Sequence, residues 1–165
     1  MDKFLARIAG PAQWILVGAG AVGFIVSFLP WYSVSFNGGK QFPGYSGSAN
    51  AWSVGFGAWF PMLLLVAVAG VVVAIERGAI PNPIPGLMQW VTLGASGLAA
   101  LIILIRWLTY PDLPGFAGSA GAGFGLYVGL LAALAAAAAS FAVVRIGSQS
   151  RAFAAAEAHP PLPSV

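Results

Sequence analysis

The chain has 165 residues, of which 59% are hydrophobic and only 7% charged, with a mean hydropathy of +0.89. A soluble domain carries about 25% charged residues, so this balance excludes a large soluble core and points to one integral membrane domain. The net charge of +3 is scattered along the chain without forming a basic patch, which excludes a nucleic-acid partner, and the absence of cysteine removes disulfides, thiolate metal sites and cysteine nucleophiles.

Taken in order, Asp2 to Ala9 reads as a short amphipathic turn with Phe4, Leu5 and Ile8 on one side and Lys3 and Arg7 on the other. Pro11 either ends that piece or opens the next helix at its first turn. The apolar run that follows is long for a signal peptide, and its end, FLPWYS, lacks a small-x-small cleavage pattern. It is read as the first span, over residues 13–29. The other spans fall at about 58–75, 88–109 and 123–144. Each is long enough to cross a core about 30 Å thick at about 1.5 Å per residue. Trp90 at one end of the third span and Trp107 with Tyr110 at the other mark the two interfaces. Residues 1–146 thus form a four-helix transmembrane domain. Residues 147–165 form a tail in which AFAAAEA can prolong the last helix and PPLPSV stops it.

Orientation follows from the basic residues. Lys3, Arg7, Arg77, Arg145 and Arg151 lie on the side of the termini, while Lys40 and, at its border, Arg106 lie on the other. The positive-inside rule then places both termini in the cytoplasm and the stretch between the first two spans outside, in a plasma membrane.

That outer stretch, LPWYSVSFNGGKQFPGYSGSANAWSVGFGAWF, is the only long segment that is neither a span nor a terminus. Tyr32, Val34 and Phe36 alternate with Ser33 and Ser35, the period of a strand. Asn37-Gly38 is the strongest short hairpin signal, and Lys40, Gln41 and Phe42 can start a return strand before Pro43. The following GYSGSAN reads as connector, and PDLPGFAGSAGAG, before the last span, as an exposed turn. The expected fold is therefore all-α membrane: a four-transmembrane-helix bundle with a short extracellular β-hairpin in the first outer loop. A weak internal repeat runs through it. Gly18, Ala19 and Trp31 precede Gly94, Ala95 and Trp107 by a constant spacing, and Gly55-Phe56-Gly57 recurs as Gly123-Phe124-Gly125, with Trp59 and Tyr127 in matching places.

Helices in lipid associate by close packing of small residues. Gly121, Gly125, Gly129, Ala133 and Ala137 form one such row on the last span, and Ala19, Gly23 and Ser27 another on the first. They serve packing within the bundle, or contact with a second copy or a larger membrane partner. Arg106 is positioned to snorkel to the headgroups, to pair with Asp112 or to hold a lipid phosphate. Glu76 and Arg77 form a boundary pair at the end of the second span. Trp31, Tyr32, Phe36, Trp52 and Trp59 are the candidate partner contacts of the outer stretch.

No catalytic, cofactor or metal site is expected. No span carries Asp, Glu, His or Lys at its middle, as proton-coupled pumps do. One histidine, His159, cannot supply both axial ligands of a haem or, across the bilayer from Asp112, a triad. Zinc lacks ligands. GAGAVG and GSAGAGFG superficially resemble nucleotide loops but adjoin spans without a preceding soluble strand.

The layout of four spans, termini inside, a large strand-bearing first outer loop and the LPWYSVS step into it, with Trp52 later, resembles the claudin and related tetraspan architecture. The paired loop cysteines of that group are missing, so the resemblance implies architecture only. With its Ala/Gly-rich spans and Pro-Trp step, the chain is also similar to small four-span actinobacterial membrane proteins of unknown function, which implies no activity. The expectation is a non-enzymatic accessory or interaction subunit of a cell-envelope complex. The alternative is a small oligomeric carrier or channel for a lipid or apolar solute.

Overall fold

The computed structural model describes residues 2–36, 44–80, 85–109 and 118–158. Four long helices, α1 (Asp2–Val26), α3 (Phe56–Glu76), α4 (Pro85–Leu108) and α5 (Phe124–Ala158), form a bundle. A short helix, α2 (Ala51–Val54), and three strands, β1 (Pro30–Phe36), β2 (Tyr45–Asn50) and β3 (Gly118–Ala122), gather at one end. Three helices are long and apolar enough to cross a membrane, over Phe56–Glu76, Gly86–Leu108 and Phe124–Gln149, while α1 contributes the shorter apolar stretch Gly10–Val26. The chain therefore reads as a multi-pass membrane protein.

The helices form a ring in which α1 packs on α3 and α5, and α4 packs on the same two from the other side. The α1–α3 crossing is closest at Gly20 and Gly23. A Cβ at Gly20 would run into Ala69 Cβ and lie 2.9 Å from the Leu65 carbonyl oxygen, and one at Gly23 would lie 3.3 Å from Leu65 Cδ1. Gly20 was not in the expected row, although it makes the tighter approach. Ala19, one residue earlier, is buried in the core, as is Ala133 of α5. Between α4 and α5 two serines meet: Ser96 and Ser140 are fully buried and their hydroxyl oxygens lie 3.2 Å apart. Ser96 Oγ also donates to the Thr92 carbonyl at 2.7 Å. The bundle centre is filled by Met62, Leu65, Ile103 and Leu126.

Several expectations are corrected. Pro11 neither ends nor starts a helix. It lies inside a continuous α1. Helix α1 stops at Val26, three residues before the expected Leu29, and Ser27–Leu29 form a turn. Helix α3 starts at Phe56, after Gly55, whose φ of +119° breaks it from α2. Such a backbone favours glycine. Both Gly-Phe-Gly triplets open a long helix, α3 and α5, in agreement with the repeat. Trp31 and Trp107 do not correspond, since the first is on a strand and the second in α4.

The sheet differs most from expectation. Its order is β2-β1-β3, antiparallel throughout, so it is built from both connections at that end. The return strand is Tyr45–Asn50, the stretch read as connector, and the stretch read as an exposed turn supplies a third strand. GSAGA is thus a strand and not a phosphate-type loop. The Asn37-Gly38 turn, Lys40–Phe42 and the tail prolines lie outside the described residues. Helix α5 runs on to Ala158, as the AFAAAEA pattern anticipates.

Gly20→Val should lower the midpoint of thermal unfolding in detergent, with an overpacking cost of about 1–3 kcal/mol. Gly94→Ala, where an added Cβ meets nothing within 4 Å, should leave it unchanged or raised. Equal midpoints for the two variants would contradict the α1–α3 crossing described.

Candidate functional site

Everything at the sheet end hangs on Trp31. Between Pro30 and Tyr32 the register of β1 against β2 shifts, Pro30 facing Asn50 and Tyr32 facing Ala49, so Trp31 is the extra residue of a bulge. A bulge re-aims its side chain, and here the indole turns into the bundle, where it is 1% exposed. Its Nε1 donates to the Val26 carbonyl at 2.9 Å, which satisfies the last turn of α1. The ring lies across α5. A Cβ at Gly125 would come 2.6 Å from Trp31 Cδ1, and one at Gly129 would come 2.9 Å from Cζ2. At Gly123 a Cβ would collide with the Pro30 carbonyl, and the Gly123 N–H donates to the Trp31 carbonyl at 2.9 Å. The glycine row of the last span is therefore a seat for an indole at its first turns. Gly121 is not part of it, because it lies in β3 with open space around it.

Trp31 is also removed from the candidate partner contacts, since its side chain is buried. The other four are dispersed. Phe36 is exposed and pairs across the strands with Tyr45 at the sheet's tip. Tyr32 is half-buried on the same face. Trp52 is 40% exposed and belongs, with half-buried Trp59, to a different surface at the rim of the bundle.

That rim is a continuous row of rings. Phe24 and Phe28 meet edge to face at 5.3 Å, Phe28 lies 6.1 Å from Trp52, and Trp52 and Trp59 are parallel at 6.2 Å. Phe56 meets Trp59 edge to face at 5.1 Å and stacks on Phe60 at 4.6 Å. Trp107 and Tyr127 continue the collar on α4 and α5. Exposed Trp14 and Trp90 lie toward the other end of the bundle. Two aromatic levels on apolar helices match the belts at the two interfaces of a bilayer.

Ser27 links collar and bundle. It is fully buried; its Oγ donates to the Phe24 carbonyl at 2.6 Å and accepts from Trp52 Nε1 at 3.1 Å. Its carbonyl accepts from the Ala51 N–H at 3.1 Å. It thus fastens α2 to α1 and is not a helix-packing position as expected. Asn50 caps α2, its Oδ1 accepting from the Ser53 N–H at 3.1 Å. Arg106 is half-buried and its Nη2 donates to the Val54 carbonyl, the end of α2, at 3.4 Å. The expected pairing with Asp112 lies outside the described residues.

Above the collar the sheet has two unlike faces. Register places Ser46, Ser35 and Ser119 in one row and Ser48, Ser33 and Gly121 in the next, all on one face. The five serines are exposed and line a shallow trough of about 430 Å³. Ser35 and Ser119 share a hydrogen bond of 2.7 Å between their hydroxyls. The opposite face carries Tyr32, Val34, Phe36, Tyr45, Gly47 and the alanines of β2 and β3. The serines of β2 and β3 were missed in the sequence, although Tyr45-Ser46-Gly47-Ser48-Ala49 alternates with the same period as β1. Among the described residues, no three His, Cys, Asp or Glu side chains come together.

Comparison with protein-family models finds no match, and comparison with curated proteins finds none either.

The Trp52–Ser27 bond gives a direct test. Ser27→Ala and Trp52→Phe should each cost about 0.5–1.5 kcal/mol in detergent denaturation, and the double variant should cost clearly less than their sum, because both remove one shared bond. Strict additivity would place the two side chains apart.

Proposed function

We propose that this chain is a non-enzymatic, four-span protein of the plasma membrane, with both termini in the cytoplasm and the sheet outside, acting as an accessory subunit that presents the sheet to a partner in the cell envelope. The observation that carries the reading is the serine face. A flat array of five hydroxyls in register, drawn from both connections and fixed to the helices by Trp31, is preorganised for a protein surface. Preorganisation lowers the ordering cost of association. Among the described residues the face has no acid, base or nucleophile-activating group beside its hydroxyls, so contact suits it better than chemistry. The filled bundle centre gives a single copy no path for a solute, which favours an accessory role over a carrier.

The fourth span is α1. Its apolar stretch Gly10–Val26 is about 25 Å long at 1.5 Å per residue, and short spans are accommodated by local thinning and interfacial anchors such as Trp14. The basic residues Arg77 and Arg145 at the end remote from the sheet support that end as the inner one.

Because the native chain has no cysteine, single cysteines report topology cleanly. Asp2→Cys and Ser148→Cys should resist a membrane-impermeant maleimide in intact cells and react only after permeabilisation, whereas Ser46→Cys should react at once. Opposite behaviour of Asp2→Cys and Ser148→Cys would reduce the spans to three. For the partner, Ser35→Arg and Ser48→Arg, on an exposed face, should keep the fold. They should also cut recovery of the co-purifying envelope protein from native membranes at least about tenfold. Recovery unchanged by both variants would remove the serine face as the docking surface.

A further inference from the structure

At the end of the bundle remote from the sheet, a groove of about 460 Å³ opens between α1 and α3. This volume lies in the range of about 300–1,000 Å³ usual for small-molecule sites. Its wall is mostly apolar, with Trp14 and Val17 from α1 facing Val72 and Val73 from α3, and Gln13 is the one polar side chain on it besides those at the mouth. Gly10 leaves the part nearest the mouth open, since a Cβ there would meet nothing within 4 Å. Trp14 is 74% exposed, which sets the groove on the lipid-facing side of the bundle and at the level of an aromatic belt. The mouth is formed by Glu76 and Arg77, the last residue of α3 and its C-cap.

These two charges are adjacent and exposed, yet neither makes an ion pair with any described residue. The carbonyls of the last turn are already taken. Val73 accepts from the Arg77 N–H, Ala74 from the Ala79 N–H and Ile75 from the Gly78 N–H. A cation arriving at this helix end would therefore be met by the Glu76 carboxylate, with help from the negative end of the α3 dipole. An anion would be met by the Arg77 guanidinium, whose fork matches phosphate oxygens.

An apolar channel at membrane depth, ending in one free carboxylate beside one free guanidinium, is complementary to a zwitterionic lipid. We infer that the α1–α3 groove is a binding site for a phospholipid with a primary ammonium headgroup, such as phosphatidylethanolamine. One acyl chain lies along Trp14, Val17 and Val73, the phosphate sits on Arg77, and the ammonium donates to Glu76. A choline headgroup has no N–H to donate, and a glycerol headgroup has no cation, so the site discriminates by headgroup. The inference rests on the multi-pass membrane reading with α1 lying in the membrane, and not on the serine face or a partner, so the docking test above can fail without touching it.

The test is native mass spectrometry of the full-length protein in mild detergent, with phosphatidylethanolamine, phosphatidylcholine and phosphatidylglycerol of identical acyl chains in competition. Retention of the ethanolamine lipid should exceed that of the other two by about tenfold, the lower end of what a hydrogen bond to a charged group provides. Glu76→Gln should reduce it to the level of the choline lipid. Arg77→Gln should weaken all three, and Gly10→Leu should fill the groove and abolish retention of all three. Equal retention of the three lipids by the wild-type chain overturns the inference. So does an ethanolamine preference that survives Glu76→Gln, a variant that preserves size and leaves the core untouched should Gly10→Leu fail to fold.

Discussion

The seating of one indole against glycines determines how the two halves of this molecule relate. Trp31 leaves the sheet at a bulge, bonds the end of α1 through Nε1 and lies on Gly125 and Gly129 of α5. Fully burying a tryptophan removes roughly 150–250 Å² from solvent or lipid contact. In hydrocarbon the area term is weak, because lipid tails are as apolar as the protein. The gain must come instead from close packing and from the indole hydrogen bond, and both require the glycines. Any Cβ at those positions would lift the ring and with it β1.

The sheet has little to hold it together otherwise. Its strands are mostly Ser, Gly and Ala, residues with small side chains and modest strand preference, and its serine face buries nothing. Three short strands of this composition have no core of their own, and small isolated sheets are marginal in water. Order in the sheet is therefore inherited from the bundle through three fasteners: Trp31 to α1 and α5, the Gly123 N–H to the Trp31 carbonyl, and Ser27 with Asn50 through α2. Since β1 is central, fixing it fixes the register of both neighbours, and the serines of all three strands come to one face because directly paired residues share a face and the register beyond the bulge is unbroken.

The helices were legible in the sequence because long apolar runs with polar ends leave few readings. Their boundaries were less so: Leu29 was apolar enough to extend the first span, but a turn at Ser27–Leu29 ends α1 earlier, and the second span was begun at Ala58, whereas α3 opens at Phe56, directly after the positive φ of Gly55. Strand β1 was legible from its alternation. Strands β2 and β3 were not, because Gly and Ala blur the contrast between faces, and because the pairing of β3 with β1 across the whole length of α2, α3 and α4 leaves no local trace. The glycine row on α5 was found, but its partner was misassigned. Glycines spaced by four announce a close approach without saying whether a helix backbone or an indole makes it. The aromatic collar was visible only as tryptophans. Phe24, Phe28 and Phe60 looked like ordinary span residues until the helices brought their rings into contact.

Polarity inside the bundle is settled. Ser27, Thr92 and Ser96 each return their hydroxyl to a carbonyl three or four residues back, Ser96 also reaches Ser140, and no buried side-chain nitrogen or oxygen among the described residues lacks a partner. A hydroxyl so engaged costs little in hydrocarbon and has nothing left to offer a ligand. The polar groups with spare capacity lie at the two ends instead: the serine face, where only one hydrogen bond joins five hydroxyls, and the Glu76–Arg77 mouth, where two opposite charges stand open. In a membrane these ends are also where water and headgroups are found. The sequence concentrates its uncommitted polarity where a partner or a lipid head can reach it, and leaves the span between them as packed, self-satisfied support.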